Sequence, residues 1–170
     1  MATAATLILD HDQVERKIQR IAHEILEKHH GEKELILVGV AKRGVILSEK
    51  LAGILSGISK IKVTTASIKL DKDDPLGVPI ELSIGSEELK GKCVLLIDDV
   101  LQGGMTLMHA AAHLVQAPIS KLTTVVLVDR RHRRFPIRAD IVGLTLSTTL
   151  QEHISVKFNG KKTLVQLDQG

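Results

Sequence analysis

The stretch Val94-Leu-Leu-Ile-Asp-Asp-Val-Leu-Gln-Gly-Gly-Met-Thr106 decides the fold. Its first four residues, Val94 to Ile97, are all apolar. A run this short and this apolar suits a strand buried on both faces, as in a parallel sheet. The strand delivers two adjacent carboxylates, Asp98 and Asp99, to its carboxyl end, and a turn containing Gly103 and Gly104 then opens a helix. Glycines let backbone N–H groups come close to an anion, and a helix N-terminus adds free donors and a favourable dipole. Thr106 offers a hydroxyl donor. Carboxylates do not hold phosphate directly, but they suit sugar hydroxyls, the water shell of a metal, or nearby positive charge. A phosphate on the loop and a diol on the acids together describe a ribose 5-phosphate.

Outward from this segment, strands and helices alternate. Thr6 to Leu9 is a short apolar run. Val14, Ile18, Ile21, Ala22, Ile25 and Leu26 then recur at helical spacing, with Asp10 or Asp12 as N-cap and Gly31 as the stop. Leu35 to Val40 reads as a buried strand, Gly44 to Leu55 as a helix, and Ile61 to Leu70 as a strand rich in β-branched residues. Asp71 to Pro79 is a polar loop; Gly104 to Val115 is a helix; Leu122 to Val128 and Ile141 to Leu146 are strands. Val156 to Phe158 and Thr163 to Leu167 flank a hairpin signal with Asn159-Gly160 at its tip. This alternation predicts an α/β fold, a mostly parallel central sheet flanked by helices, within one domain spanning 1–170.

Composition narrows the chemistry. The 170 residues are 44% hydrophobic and 25% charged, so a packed core is expected and disorder is not. Two Phe, no Trp and no Tyr make that core aliphatic and leave no rows of rings for a single-strand nucleic-acid platform. A net charge of +3 is compatible with phosphate ligands but too small to imply nucleic acid by itself. The single cysteine, Cys93, excludes an internal disulfide and a multi-cysteine zinc site. His109 and His113 lie four residues apart, but no HExxH arrangement surrounds them. No run approaches the ~20 apolar residues of a membrane span, and MATAATLILD lacks the positive start of a signal peptide. The expected location is the cytoplasm.

Three further segments follow predicted strands, where α/β sheets bind ligands. Ala41-Lys42-Arg43-Gly44 places two cations and a glycine at a helix start, which suits a diphosphate. Asp129-Arg130-Arg131-His132-Arg133-Arg134-Phe135-Pro136-Ile137-Arg138 is the densest positive patch, with five arginines in ten residues. The loop after Leu70 gathers Lys69, Asp71, Lys72, Asp73 and Asp74 near Pro75 and Pro79.

The apolar strand, Asp98-Asp99, two residues and a Gly/Thr loop resemble the phosphoribosyl-diphosphate (PRPP) motif of type I phosphoribosyltransferases. The resemblance runs through most of the chain and is with the bifunctional pyrimidine-operon regulator and uracil phosphoribosyltransferase family. It includes IAHEILEK (21–28), ILVGVAKRGVILSEKLA (36–52), VLLIDDVL (94–101), LVDRRHRRFPIRAD (127–140) and VQLD (165–168). It implies a type I phosphoribosyltransferase-like fold with a small hood and a flexible loop. It also implies transfer of ribose 5-phosphate to a nucleobase, uracil, with release of diphosphate. Asp98, Asp99, Arg43 and Lys72 would carry the chemistry. Asp98, Asp99, Val100, Leu101, Gln102, Gly103, Gly104, Met105 and Thr106 would hold the ribose and its phosphate. Lys42, Arg43, Lys69 and Lys72 would hold the diphosphate, and Asp129, Arg130, Arg131 and His132 the base. Mg²⁺ would arrive with PRPP, near Asp98 and Asp99 but without a direct protein ligand. Structured mRNA and a second copy of the chain, in a homodimer or larger assembly, are the implied partners.

The chain departs from that family's pattern at several places. Tyr-Thr-Gly-Arg-Thr is expected where Gln102-Gly103-Gly104-Met105-Thr106 stands. Each lost hydrogen bond to a charged phosphate is worth ~1.5–3 kcal/mol, so PRPP binding is expected to be weaker. Arg131 and Arg134 replace an expected Gly and Glu, which leaves the base open between a pyrimidine and a purine. A nucleotide-sensing RNA-binding regulator with little catalysis is the alternative to the enzyme.

Overall fold

The computed structural model describes residues 4–149 and 151–169. Strand β1 (Thr6–Leu9) leads into helix α1 (His11–Lys28), followed by β2 (Glu34–Val40), α2 (Ala41–Ile58) and β3 (Lys62–Lys69). The short pieces β4 (Glu81–Leu82) and α3 (Ser86–Leu89) precede β5 (Cys93–Leu101), α4 (Met105–Leu114) and β6 (Lys121–Asp129). The chain ends with β7 (Ile141–Thr145), β8 (Glu152–Asn159) and β9 (Lys162–Gln169).

The central sheet has six strands in the order β4-β3-β2-β5-β6-β7. All neighbours are parallel except β4, which pairs antiparallel with β3. Two-sided burial explains the unbroken apolar runs. In β2, Leu35 and Leu37 join the core under α1 and α2, while Ile36, Val38 and Val40 join the core under α4. The hood expected beside this sheet is a separate three-stranded antiparallel sheet, β1-β9-β8. Its Leu9, Ile154, Val156 and Val165 pack into the α1–α2 core.

Several boundaries differ from the sequence reading. Asp10 caps α1 in a reciprocal box with Gln13, as one of the two expected caps. The helix stops at Lys28, before Gly31, because His29 closes it. The His29 Nδ1 lies 2.8 Å from the Ile25 carbonyl, and its Nε2 lies 3.1 Å from Thr123 Oγ1. In the late hairpin, Asn159 pairs with Lys162, so the tip is Gly160-Lys161. The positive φ (+58°) therefore falls on Gly160 at the first central position, where a two-residue turn favours glycine. Strand β5 runs on through both acids to Leu101, so the acids sit inside a hydrogen-bonded strand.

The connections set the site. From β2 the chain crosses by α2 to β3 on one side; from β5 it crosses by α4 to β6 on the other. The β2/β5 boundary is thus a topological switch point, where α/β sheets open a crevice beyond their carboxyl ends. Two glycines bring the crevice walls together. A Cβ on Gly39 would lie 2.5 Å from Val45 Cα, and a Cβ on Gly44 would lie 2.5 Å from the Ile97 carbonyl oxygen. Gly44→Ala is therefore expected to lower stability by about 1–3 kcal/mol, the usual cost of overpacking. Gly53 of the same helix faces open space, so Gly53→Ala should instead be neutral or stabilising by up to about 1 kcal/mol. Urea midpoints of the two variants test the contrast.

Candidate active site

Strand β5 carries Asp98 and Asp99 to the switch point, each only 7% exposed. The Asp99 backbone N–H donates to Asp98 Oδ1 at 2.9 Å. Burial, and then the adjacent Asp99 carboxylate, push the Asp98 carboxyl well above its usual range, with Lys72 pulling weakly the other way. Asp99 faces a cation across the crevice: its Oδ2 is 4.0 Å from Arg43 Nη1.

Two cavities meet at this pair. The first, about 430 Å³, lies over the loop after β5 and is lined by Gln102 to Leu107, with Arg134 and Phe135 opposite. Gly104 is the N-cap of α4 with φ +92°, and no side chain caps that helix. Its first-turn N–H groups therefore face the cavity as open anion donors. The second cavity, about 770 Å³, lies over the loop after β2 and under Ser67 to Leu70 of β3 and its end. Lys42, Arg43, Lys69 and Lys72 line it, and α2 likewise begins without a side-chain cap. Asp98 and Lys72 line both cavities.

The backbone of this second loop is strained. Ala41 holds φ +47°, a region that a residue with a Cβ rarely occupies. No peptide bond is cis among the described residues. The strain lies at the turn that aims Lys42 and Arg43, and the Gly39 and Gly44 contacts over-determine it.

The basic loop after β6 is mostly internal wiring. Arg130 is buried and donates to Thr148 Oγ1 (2.5 Å), the Thr149 carbonyl (2.7 Å) and Gln102 Oε1 (3.3 Å). Arg133 donates to the Ile137 and Gln102 carbonyls and to Asp129 Oδ1. Asp129 Oδ1 also accepts from the Arg131 N–H, and His132 bonds the Thr148 carbonyl. Of the four residues expected around a base, Asp129, Arg130 and His132 thus have internal partners, and Arg131 stays exposed with φ +62°. Gln102, one of the departures, has found a partner in Arg130. The reading from sequence missed Ser67, which lines the second cavity, and Phe135, which lines the first. Ser67 belongs to no charged or glycine-rich motif, and Phe135 is an apolar residue inside the basic loop, so only tertiary contact reveals them.

A family model described as the phosphoribosyl transferase domain matches residues 4–159. The chain belongs to the phosphoribosyl transferase family. It is 42% identical over 161 residues to the bifunctional protein PyrR of Geobacter sp. strain M21, covering 91% of each chain. It is 38% identical to the protein of that name from Pelotomaculum thermopropionicum, over 99% of this chain and 98% of that one. The fold matches the crystal structure of the Trypanosoma cruzi hypoxanthine phosphoribosyltransferase at TM-score 0.77 and 20% identity, covering 97% of both chains. No described helix of this phosphoribosyl transferase is long and apolar enough to cross a membrane.

The buried acid has a stability consequence. A raised folded-state pKa means the folded chain holds the Asp98 proton more tightly than the unfolded chain. Stability is then lost as pH climbs above the ordinary carboxylate range. Asp98→Asn removes that loss and keeps an acceptor for the Asp99 N–H. Its Tm should exceed wild type at pH 7.5, by about 2–4 °C per kcal/mol relieved in a chain of this size. The gap should close near pH ~4. Calorimetry across pH checks both.

Proposed function

We propose that this phosphoribosyl transferase moves ribose 5-phosphate from PRPP to a nucleobase, uracil, and releases diphosphate. One observation carries the reading: two cavities, each at an uncapped helix start, share Asp98 and Lys72 at their junction. PRPP is a ribose with a phosphate at one end and a diphosphate at the other. The loop Gln102 to Thr106 takes the 5-phosphate through backbone donors and the Thr106 hydroxyl. Lys42 and Arg43 take the diphosphate, with Lys69 reaching it from the end of β3 and Lys72 from the loop that follows. Asp98 and Asp99 accept from the ribose hydroxyls and face the positive charge that builds on the ring as the C1–oxygen bond breaks. The base enters beside the loop after β6, near Asp129, Arg130, Arg131 and His132.

The donor set fits Mg²⁺ carried by the substrate. No cluster of three or more His, Cys, Asp or Glu that could hold a metal alone occurs among the described residues. Mg²⁺ favours one or two carboxylates together with phosphate oxygens and water. Asp98 and Asp99 would hold it through that water, and when bound it neutralises charge on the departing diphosphate. By the same family likeness, the whole chain 1–170 acts as one domain, in the cytoplasm, as at least a homodimer.

A panel of uracil, cytosine, hypoxanthine and guanine with PRPP and Mg²⁺ tests the reaction by diphosphate release. Uracil should support release, and Asp98→Asn should slow it by about 10²-fold or more. No release with any base, with Asp98→Asn indistinguishable from wild type, would sink the enzyme reading.

Arg131, Arg134 and Arg138 are exposed and support a second reading, binding of structured mRNA by a regulator of pyrimidine genes. If those three meet phosphates, log affinity for a leader RNA should fall with log salt at a slope of about −2 to −3. Equal affinity for unrelated RNA at every salt would count against regulation.

A further inference from the structure

The first cavity must neutralise a phosphate monoester, which carries about −1.5 to −2 charge at neutral pH. Yet the loop Gln102 to Thr106 contains no cationic side chain. Of the residues lining this cavity, only Lys72, Asp98 and Arg134 are charged. Lys72 is shared with the second cavity and acts on the Asp98 carboxyl at the junction, so it stands between the two anions. Arg134 lines the first cavity and not the second.

Arg134 is held against the phosphate loop by backbone. Its N–H donates to the Gly103 carbonyl at 2.8 Å, and the Phe135 N–H donates to the same oxygen at 3.0 Å. The aliphatic stem lies over Gly103, where an added Cβ would sit 3.6 Å from both Arg134 Cγ and Cδ. A Cβ there would meet the stem at ordinary contact distance, so the stem lies directly against the loop. On Gly104 a Cβ would come 2.7 Å from Ile137 Cγ2, so the 134–137 segment closes over both glycines. The neighbouring Arg130 and Arg133 guanidiniums are spent on internal acceptors. The Arg134 side chain is exposed and has no hydrogen-bond or ion-pair partner among the described residues.

We propose that Arg134 binds the 5-phosphate, supplying from the β6–β7 loop the cation that the phosphate loop lacks. Met105 and Arg134 then form a pair: a neutral loop residue, and the arginine that lines the same cavity from another loop. This inference rests on the reading of the first cavity as the 5-phosphate site.

Calorimetric titration with ribose 5-phosphate, ribose and inorganic diphosphate separates the two claims. Wild type should bind ribose 5-phosphate in preference to ribose. Arg134→Ala should weaken ribose 5-phosphate binding by about 10- to 100-fold, the value of a charge-assisted pair, and leave diphosphate binding unchanged. Met105→Arg added to Arg134→Ala should restore much of the loss, because it returns a guanidinium from the other wall. If wild type binds ribose 5-phosphate well and Arg134→Ala binds it equally, the role of Arg134 is overturned while the site stands. If wild type does not distinguish ribose 5-phosphate from ribose, the site itself is wrong and the inference falls with it.

Discussion

The close seat of helix α2 on strand β5 governs the rest of the structure. Gly44 lies so near the Ile97 carbonyl that no side chain fits between them, and Gly39 lets the β2 end fold back onto Val45. This contact joins the two strands on either side of the switch point at the residue before the acid pair. It brings one uncapped helix start beside the other, so two anion-attracting ends open on a common crevice. The parallel pairing of β2 with β5 sets the Lys42–Arg43 turn and the Asp98–Asp99 pair at neighbouring strand ends, and the Gly44 contact closes the distance between them.

That seat also fixes the electrostatics. Asp98 is enclosed beside a second carboxylate, an arrangement that opposes ionisation and costs stability. Cations approach from the crevice side, with Arg43 at Asp99 and Lys72 at Asp98. The core bears the cost elsewhere: both faces of the parallel strands bury aliphatic side chains, in the two clusters that sandwich the sheet. Strain follows the same division. Ala41 and Arg131 hold left-handed φ just beyond the carboxyl ends of β2 and β6, while no described strand residue does.

The loop after β6 shows how a charge pattern misleads when read alone. Five arginines in ten residues suggest one basic surface. Two of them, Arg130 and Arg133, tie the loop to Gln102, Thr148, Thr149, Ile137 and Asp129. These bonds hold the loop against the phosphate turn, so the wall opposite Gly103 and Gly104 is built by residues about thirty positions downstream. The neutral Gln102 is part of this wiring, which accounts for a glutamine that phosphate chemistry alone does not call for.

Local sequence determined the elements and the chemistry carried at strand ends. Short aliphatic runs can be buried only on both faces, and 3.6-residue spacing puts one apolar stripe on each main helix, so the α/β sheet was legible from residues alone. So was the Asp98-Asp99 strand with its glycine turn, because the conformations glycine permits are local. Boundaries were less legible: β5 continues to Leu101 because β6 pairs with it there, which no local pattern encodes, and α2 begins at Ala41, three residues before the expected Gly44. Tertiary structure alone decided which charges are free. Arg130, Arg133 and Arg134 are chemically identical and nearly adjacent, and their different fates depend on acceptors and cavities contributed by distant segments. Hydrogen-bond satisfaction and burial are properties of the folded neighbourhood, whereas periodicity and turn geometry are properties of the chain.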